Sequence, residues 1–100
     1  MSNETYEFTA KNVNGAPEVH GVYALYDGAE LIYIGRADGK GITIRSRLQC
    51  HFRGDEGPCT QAATSYWRAA HSNPKAREVE LLSEYERKWG RLPRCNSRIG

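Results

Sequence analysis

Residues 21–35 read Gly21-Val22-Tyr23-Ala24-Leu25-Tyr26-Asp27-Gly28-Ala29-Glu30-Leu31-Ile32-Tyr33-Ile34-Gly35. Two aromatic-rich apolar runs flank Asp27-Gly28, a β-hairpin signal because glycine accepts the positive φ that tight turns need. A period of two gives Val22, Ala24 and Tyr26 one face and Tyr23 and Leu25 the other. On the second strand Leu31, Tyr33 and Gly35 share a face, so Tyr23 and Tyr33 can stand on one side of the ribbon. The hairpin is expected over roughly residues 20–35. Gly35 is expected to end it, where the backbone turns or comes close to another group.

Working outward, Asp38 to Gly41 reads as a loop, and Ile42, Ile44, Leu48 and Phe52 form a helical stripe ending near Arg53. Gly54 to Pro58 is rich in helix breakers. Residues 64–70 are expected as a third strand, since two strands alone make a marginal sheet. The clearest helix runs from Pro74 to Trp89. Proline is tolerated in its first turn, Asn73 or Ser72 can cap it, and Gly90 and Pro93 stop it. Leu82, Tyr85 and Trp89 give it an apolar line. Upstream, residues 1–18 read as a polar N-terminal extension, with an edge strand around Tyr6 and Phe8 and a turn at Asn14 to Pro17. The domain proper is expected over 19–96, with 97–100 as a tail.

One hundred residues suffice for one domain and are too few for two. No long apolar run and no leader pattern is present, so a soluble, cytoplasmic protein with no membrane partner is expected. Cys50, Cys59 and Cys95 are odd in number and lack zinc-finger spacing, which reads as free thiols. The net charge of +2 is small, but its distribution is uneven. Arg36, Lys40, Arg45, Arg47 and Arg53 are interrupted by Asp38 alone, and Arg87, Lys88, Arg91, Arg94 and Arg98 by no acid. Arginine outnumbers lysine, which suits bidentate phosphate contacts; a merely solvated basic surface is the plain alternative.

Glu78 lies four residues before Leu82 and seven before Tyr85, on the inward stripe, unlike Glu80 and Glu84. A carboxylate facing a sheet needs a charged partner or a metal to offset its desolvation. Arg47 and His51, four apart, stack on one helix face beside Ile44 and Leu48. Singly, each has a structural reading: a surface arginine, a half-buried histidine, a glutamate paired with an arginine.

Together these residues resemble the GIY-YIG nuclease family. Gly21-Val22-Tyr23 and Tyr33-Ile34-Gly35 match its two strings, the first with a conservative change. Arg47-Leu48 followed by His51 matches the first helix, and Glu78 before Leu81-Leu82 the later one. Pro93 and Asn96 match the close of the domain. The resemblance covers residues 19–96. It implies an α/β (α+β) domain with a small central three-stranded antiparallel sheet flanked by helices, a divalent metal, and cleavage of phosphodiester bonds.

In that scheme Glu78 would hold Mg²⁺ or Mn²⁺ as a hard carboxylate ligand. Tyr23 would be the general base, which requires nearby positive charge to favour its phenolate. Tyr33 would orient water or phosphate, Arg47 would hold the phosphate, and His51 would bond Tyr23 or contact phosphate. Arg45 competes with Arg47, and Glu80 with Glu78, though Glu80 has the outward phase. Arg36, Lys40, Arg45 and Arg53 would bind nucleic acid, while Gly21, Gly35 and Asn96 would be structural. Family enzymes often carry a separate DNA-binding domain, for which this chain has little room. Selectivity for DNA, or for RNA of the same backbone chemistry, would then come from substrate shape, a partner protein or self-association. The alternative is a non-catalytic nucleic-acid-binding or protein-interaction module on the same fold.

Overall fold

A computed structural model describes residues 4–96; Arg98 and the tail 97–100 lie outside the described residues, as do residues 1–3 of the N-terminal extension. In chain order the elements are β1 (Tyr6–Glu7), α1 (Ala10–Asn14), β2 (Gly21–Asp27), β3 (Glu30–Ala37), α2 (Ile44–Arg53), α3 (Pro58–Gln61), β4 (Ser65–Ala70) and α4 (Pro74–Trp89). The strands make one antiparallel sheet in the order β1-β4-β2-β3. The expected small antiparallel sheet flanked by helices forms, with four strands instead of three because Tyr6 and Glu7 pair with Tyr66 and Ser65.

The hairpin turns at Gly28, whose φ is +61°. Tyr23 pairs with Gly35 and Leu25 with Tyr33, but Tyr26 pairs with Leu31, leaving Ile32 as an extra residue in β3. This bulge breaks the strict alternation. Leu31 therefore packs on the side of Tyr26 and Ile34, not beside Tyr33 as the simple period suggests. Nor does Gly35 end the strand, which continues to Ala37.

Both faces of the sheet are covered. Tyr23, Leu25, Ile32 and Tyr66 pack with Phe8, with Val13 of α1, and with Ile44 and Leu48 of α2. On the opposite face Val22, Ala24, Ile34 and Trp67 pack with Leu81 and Leu82 of α4. The segment before the hairpin thus supplies core residues, including the unforeseen α1, which Thr9 caps by accepting from the Asn12 amide.

Helix α2 begins at Ile44, not Ile42, because Thr43 and Ser46 form a capping box there. Helix α4 has the expected limits, with the Asn73 side chain capping it and Gly90 in a left-handed C-cap. Its inward line differs at the end: Leu81 and Leu82 are buried, whereas Trp89 is exposed. Helix α4 packs chiefly on β3 and β2, and Trp89 in its last turn lies outside the cluster that Leu81 and Leu82 join.

The cysteine expectation is overturned. Cys59 and Cys95 form a disulfide, with Cα atoms 5.7 Å apart, and Cys50 alone is free. An odd count conceals one pair when its members are distant in sequence. Here α3 carries one cysteine, and the segment after Pro93 returns to the sheet edge, where the Cys95 amide donates to the Ile32 carbonyl at 2.7 Å. Among the described residues no helix is long and apolar enough to cross a membrane.

Candidate active site

Three elements converge on the β3 side of the sheet. From β2, Tyr23 projects into the core toward α2, and Tyr33 of β3 stands beside it with ring centroids 6.1 Å apart. Gly35 makes the space, since a Cβ there would sit 2.6 Å from the Tyr23 hydroxyl and 2.7 Å from the Tyr33 ring. Gly21 has a similar function at the strand start, where a Cβ would collide with the Ala69 carbonyl and Ile44. These are demands for room; neither glycine has a positive φ.

His51 of α2 completes the aromatic cluster, with its ring centroid 4.9 Å from that of Tyr33 and 5.5 Å from that of Tyr23. It is fully buried. Its Nε2 lies 2.8 Å from the Tyr23 hydroxyl and its Nδ1 2.8 Å from Thr60 Oγ1. Burial, helped by the Arg47 guanidinium, lowers its pKa to about 4, so the ring is neutral at physiological pH. Burial dominates at Tyr23 as well, raising its pKa with help from Tyr33, while Arg47 pulls the other way and is outweighed. The positive charge needed for a resting phenolate is present and insufficient. Tyr33 is raised for the same leading reason.

Tyr33, Arg36, Asp38, Ile42, Arg47 and Glu78 line an open cleft of about 410 Å³. It straddles the edge strand: Tyr33 belongs to the α2 side, while Glu78 comes from α4 on the other. Glu78 is mostly buried and its Oε1 accepts from Arg36 Nη1 at 2.8 Å, so the inward carboxylate has a charged partner. Arg47 reaches Glu56 loosely, at 3.4 Å. Arg45 is turned away, donating from Nε to the Ala16 carbonyl and pairing with Glu18. Arg53 pairs with Asp55, and it and Lys40 lie outside the cleft lining. Glu80 pairs with Arg77 on the outer side. A larger depression of about 630 Å³ lies between the C-terminal half of α4 and the hairpin, and includes none of these groups except through their neighbours Ile34 and Leu81.

Asn96 closes the edge. Its Oδ1 accepts from the Ile34 amide and its Nδ2 donates to the Ile34 carbonyl, both at 3.0 Å, occupying the hydrogen bonds a further strand would make. The chain end is thereby tied to the residue between Tyr33 and Gly35.

Among the described residues no group of three or more His, Cys, Asp or Glu could enclose a metal. Mg²⁺ and Mn²⁺ do not need such a cage, because one or two carboxylates plus waters and substrate oxygens suffice. Glu78 fits that requirement, with Asp38 on the same cleft, provided Arg36 yields. Sequence reasoning missed Thr60, Asp38 and Glu56. Nothing in their local pattern singles them out; only α3 and the two loops bring them here.

No protein-family model and no curated protein matches the chain. Among solved structures it is similar to the GIY-YIG N-terminal endonuclease domain of UvrC from Thermotoga maritima. A tyrosine point mutant of that domain, bound to its catalytic divalent cation, is 23% identical, with 88% of this chain and 93% of that chain covered and a TM-score of 0.58. The magnesium-bound form is 22% identical, covering 86% and 92%, with a TM-score of 0.57. An asparagine point mutant gives 22%, 88%, 93% and 0.58. The chain therefore has the fold of a GIY-YIG endonuclease domain.

Proposed function

We propose that this protein is a GIY-YIG nuclease, a divalent-metal-dependent endonuclease that hydrolyses phosphodiester bonds in DNA. The observation that carries the reading is the convergence of Tyr33, Arg47 and Glu78 on one cleft, with the Tyr23–His51 pair directly behind it. The similar structures bound to a divalent cation, magnesium in one of them, support Mg²⁺, or Mn²⁺ of like chemistry, as the cofactor. Held by Glu78, it would supply Lewis-acid stabilisation of the charge developing on phosphate and leaving oxygen.

The protein's own groups divide the rest. Arg47 takes a phosphate oxygen by leaving its loose partner Glu56. Tyr33 orients the attacking water. As the water oxygen bonds to phosphorus and the P–O bond to the leaving group breaks, a water proton passes to the Tyr23 oxygen and the phenolic proton passes to His51 Nε2. This relay needs no resting phenolate, which burial of Tyr23 disfavours. Phosphate on Arg47 also offsets the second cause of the low His51 pKa, so His51 becomes a better proton acceptor when substrate is bound.

Arg36 contributes in two ways: it neutralises Glu78 in the resting protein and can move to phosphate when a cation takes the carboxylate. The cleft contacts phosphate and does not read bases, so selection by the shape of branched, flapped or nicked DNA follows. Cleavage assays on linear, nicked, flapped and branched DNA with Mg²⁺ or Mn²⁺ test the reading. Glu78→Ala and excess chelator should each abolish cutting while the protein stays folded. A binding module would shift these substrates without cutting any.

A further inference from the structure

Thr60 stands apart from every residue so far given a role. It is a buried polar side chain on α3, a four-residue helix whose N-cap, Gly57, provides no side-chain hydrogen bond. The helix is held from outside: the neighbouring Cys59 is bridged to Cys95, and Gln61 Nε2 donates to the Phe52 carbonyl. These restraints set Thr60 Oγ1 at 2.8 Å from His51 Nδ1.

A neutral imidazole has one N–H and one lone pair. His51 has a hydroxyl at each nitrogen, so the two tautomers differ in which hydroxyl donates. A phenol is the stronger donor and the poorer acceptor, because its oxygen lone pair is delocalised into the ring; an aliphatic alcohol is the reverse. The matching arrangement has Tyr23 O–H donating to Nε2 and Nδ1–H donating to Thr60 Oγ1.

We propose that Thr60 is a positioning residue that holds His51 in its Nδ1–H tautomer, leaving the Nε2 lone pair aimed at the Tyr23 hydroxyl. The kinetic consequence rests on the nuclease reading, since only this tautomer can accept the phenolic proton. The tautomer itself does not rest on it. The groups facing His51 are Tyr23 from β2, Tyr33 from β3, Arg47 on its own helix, Glu56 from the loop after α2, and Thr60 from α3; none but Thr60 is placed to fix Nδ1.

The test combines two readouts on the full chain with its disulfide intact. Long-range ¹H–¹⁵N correlation spectra of the histidine rings report the tautomer, with His51 assigned by loss of its signals in His51→Gln. Nicking of flapped DNA with Mg²⁺ reports kcat and KM. Wild type and Thr60→Ser should both show the proton on Nδ1. Thr60→Val, close in shape but without a hydroxyl, should shift it toward Nε2, lower kcat by roughly 10–100-fold, the size of loss a metal-bound histidine shows when its orienting partner is removed, and leave KM unchanged. Thr60→Ser should recover the rate. A wild-type ring protonated on Nε2, or a Thr60→Val protein with unaltered tautomer and rate, overturns the proposal. Should no variant cut DNA while the tautomer still follows the hydroxyl, the nuclease reading falls and the positioning of His51 by Thr60 stands.

Discussion

Tyr23 and Gly35 face each other across β2 and β3, and the Tyr23 ring occupies the ground a side chain at position 35 would need. A Cβ there would meet the hydroxyl at 2.6 Å and its ring carbon at 2.7 Å, with the Tyr33 ring 2.7 Å away on the other side. Gly35 thus sets the separation of the two tyrosines, and with it the placement of both phenols.

Gly35→Ala should therefore damage both stability and activity. The surrounding rings belong to a packed core, and overfilling such a core costs about 1–3 kcal/mol. Urea denaturation should show a lower midpoint with an unchanged slope, and the nicking rate should fall by more than the loss of folded protein explains. A variant as stable and as active as wild type would mean that the rings move aside freely.

The neutral His51 makes a pH prediction. Its folded pKa is lowered to about 4 from 6.5, so the unfolded chain binds a proton on acidification before the folded chain does. The contribution to stability is complete above pH 6.5 and is lost as pH falls toward 4, by roughly 3 kcal/mol at most. Comparing wild type with His51→Gln by chemical denaturation between pH 7 and pH 4.5 isolates this component. The stability difference between the two proteins should shrink steadily on acidification; a constant difference would place the histidine proton elsewhere.

The two candidate arginines differ in what they already bind. Arg47 faces the cleft with a loose bond to Glu56 and its guanidinium beside the Tyr23 hydroxyl, whereas Arg45 is committed to the Ala16 carbonyl and Glu18. Arg47→Ala should lower the cleavage rate on the order of 100-fold, the usual loss for one donor to a transition-state oxyanion. Arg45→Ala should leave the rate within a few-fold and cost at most about 1 kcal/mol of stability. A larger kinetic loss at Arg45 would defeat this assignment.

Reduction should weaken the protein. Cys59 and Cys95 are 36 residues apart, and opening a loop of that length costs roughly 2–4 kcal/mol. The bridge also joins the neighbours of Thr60 and Asn96, which bond His51 and the Ile34 backbone. Reductant should lower the melting temperature and the nicking rate of wild type while leaving Cys59→Ser unaffected, its values matching those of the reduced protein.

What the sequence determines by itself is local. The hairpin follows from Asp27-Gly28 and two apolar runs, α4 from its cap, its stripe and Gly90, and the inward direction of Glu78 from helical phase alone, while its pairing with Arg36 does not. The five catalytic candidates are legible in their order, and four-residue spacing is enough to set Arg47 and His51 on one face. Tertiary structure decides what depends on groups far apart in the chain. The bulge at Ile32 comes from strand pairing, not from the period of two, and it sends Leu31 to the face opposite Tyr33. Short α1 and α3 have too few residues to show a period; α1 rests on packing and its Thr9 cap, and α3 on packing and the Cys59–Cys95 bridge. Cys59 meets Cys95, and Thr60 meets His51, only when the chain has folded around the sheet. The protonation of the site is decided there too, because burial outweighs Arg47 at Tyr23 and holds His51 neutral, and burial is a property of the packed whole.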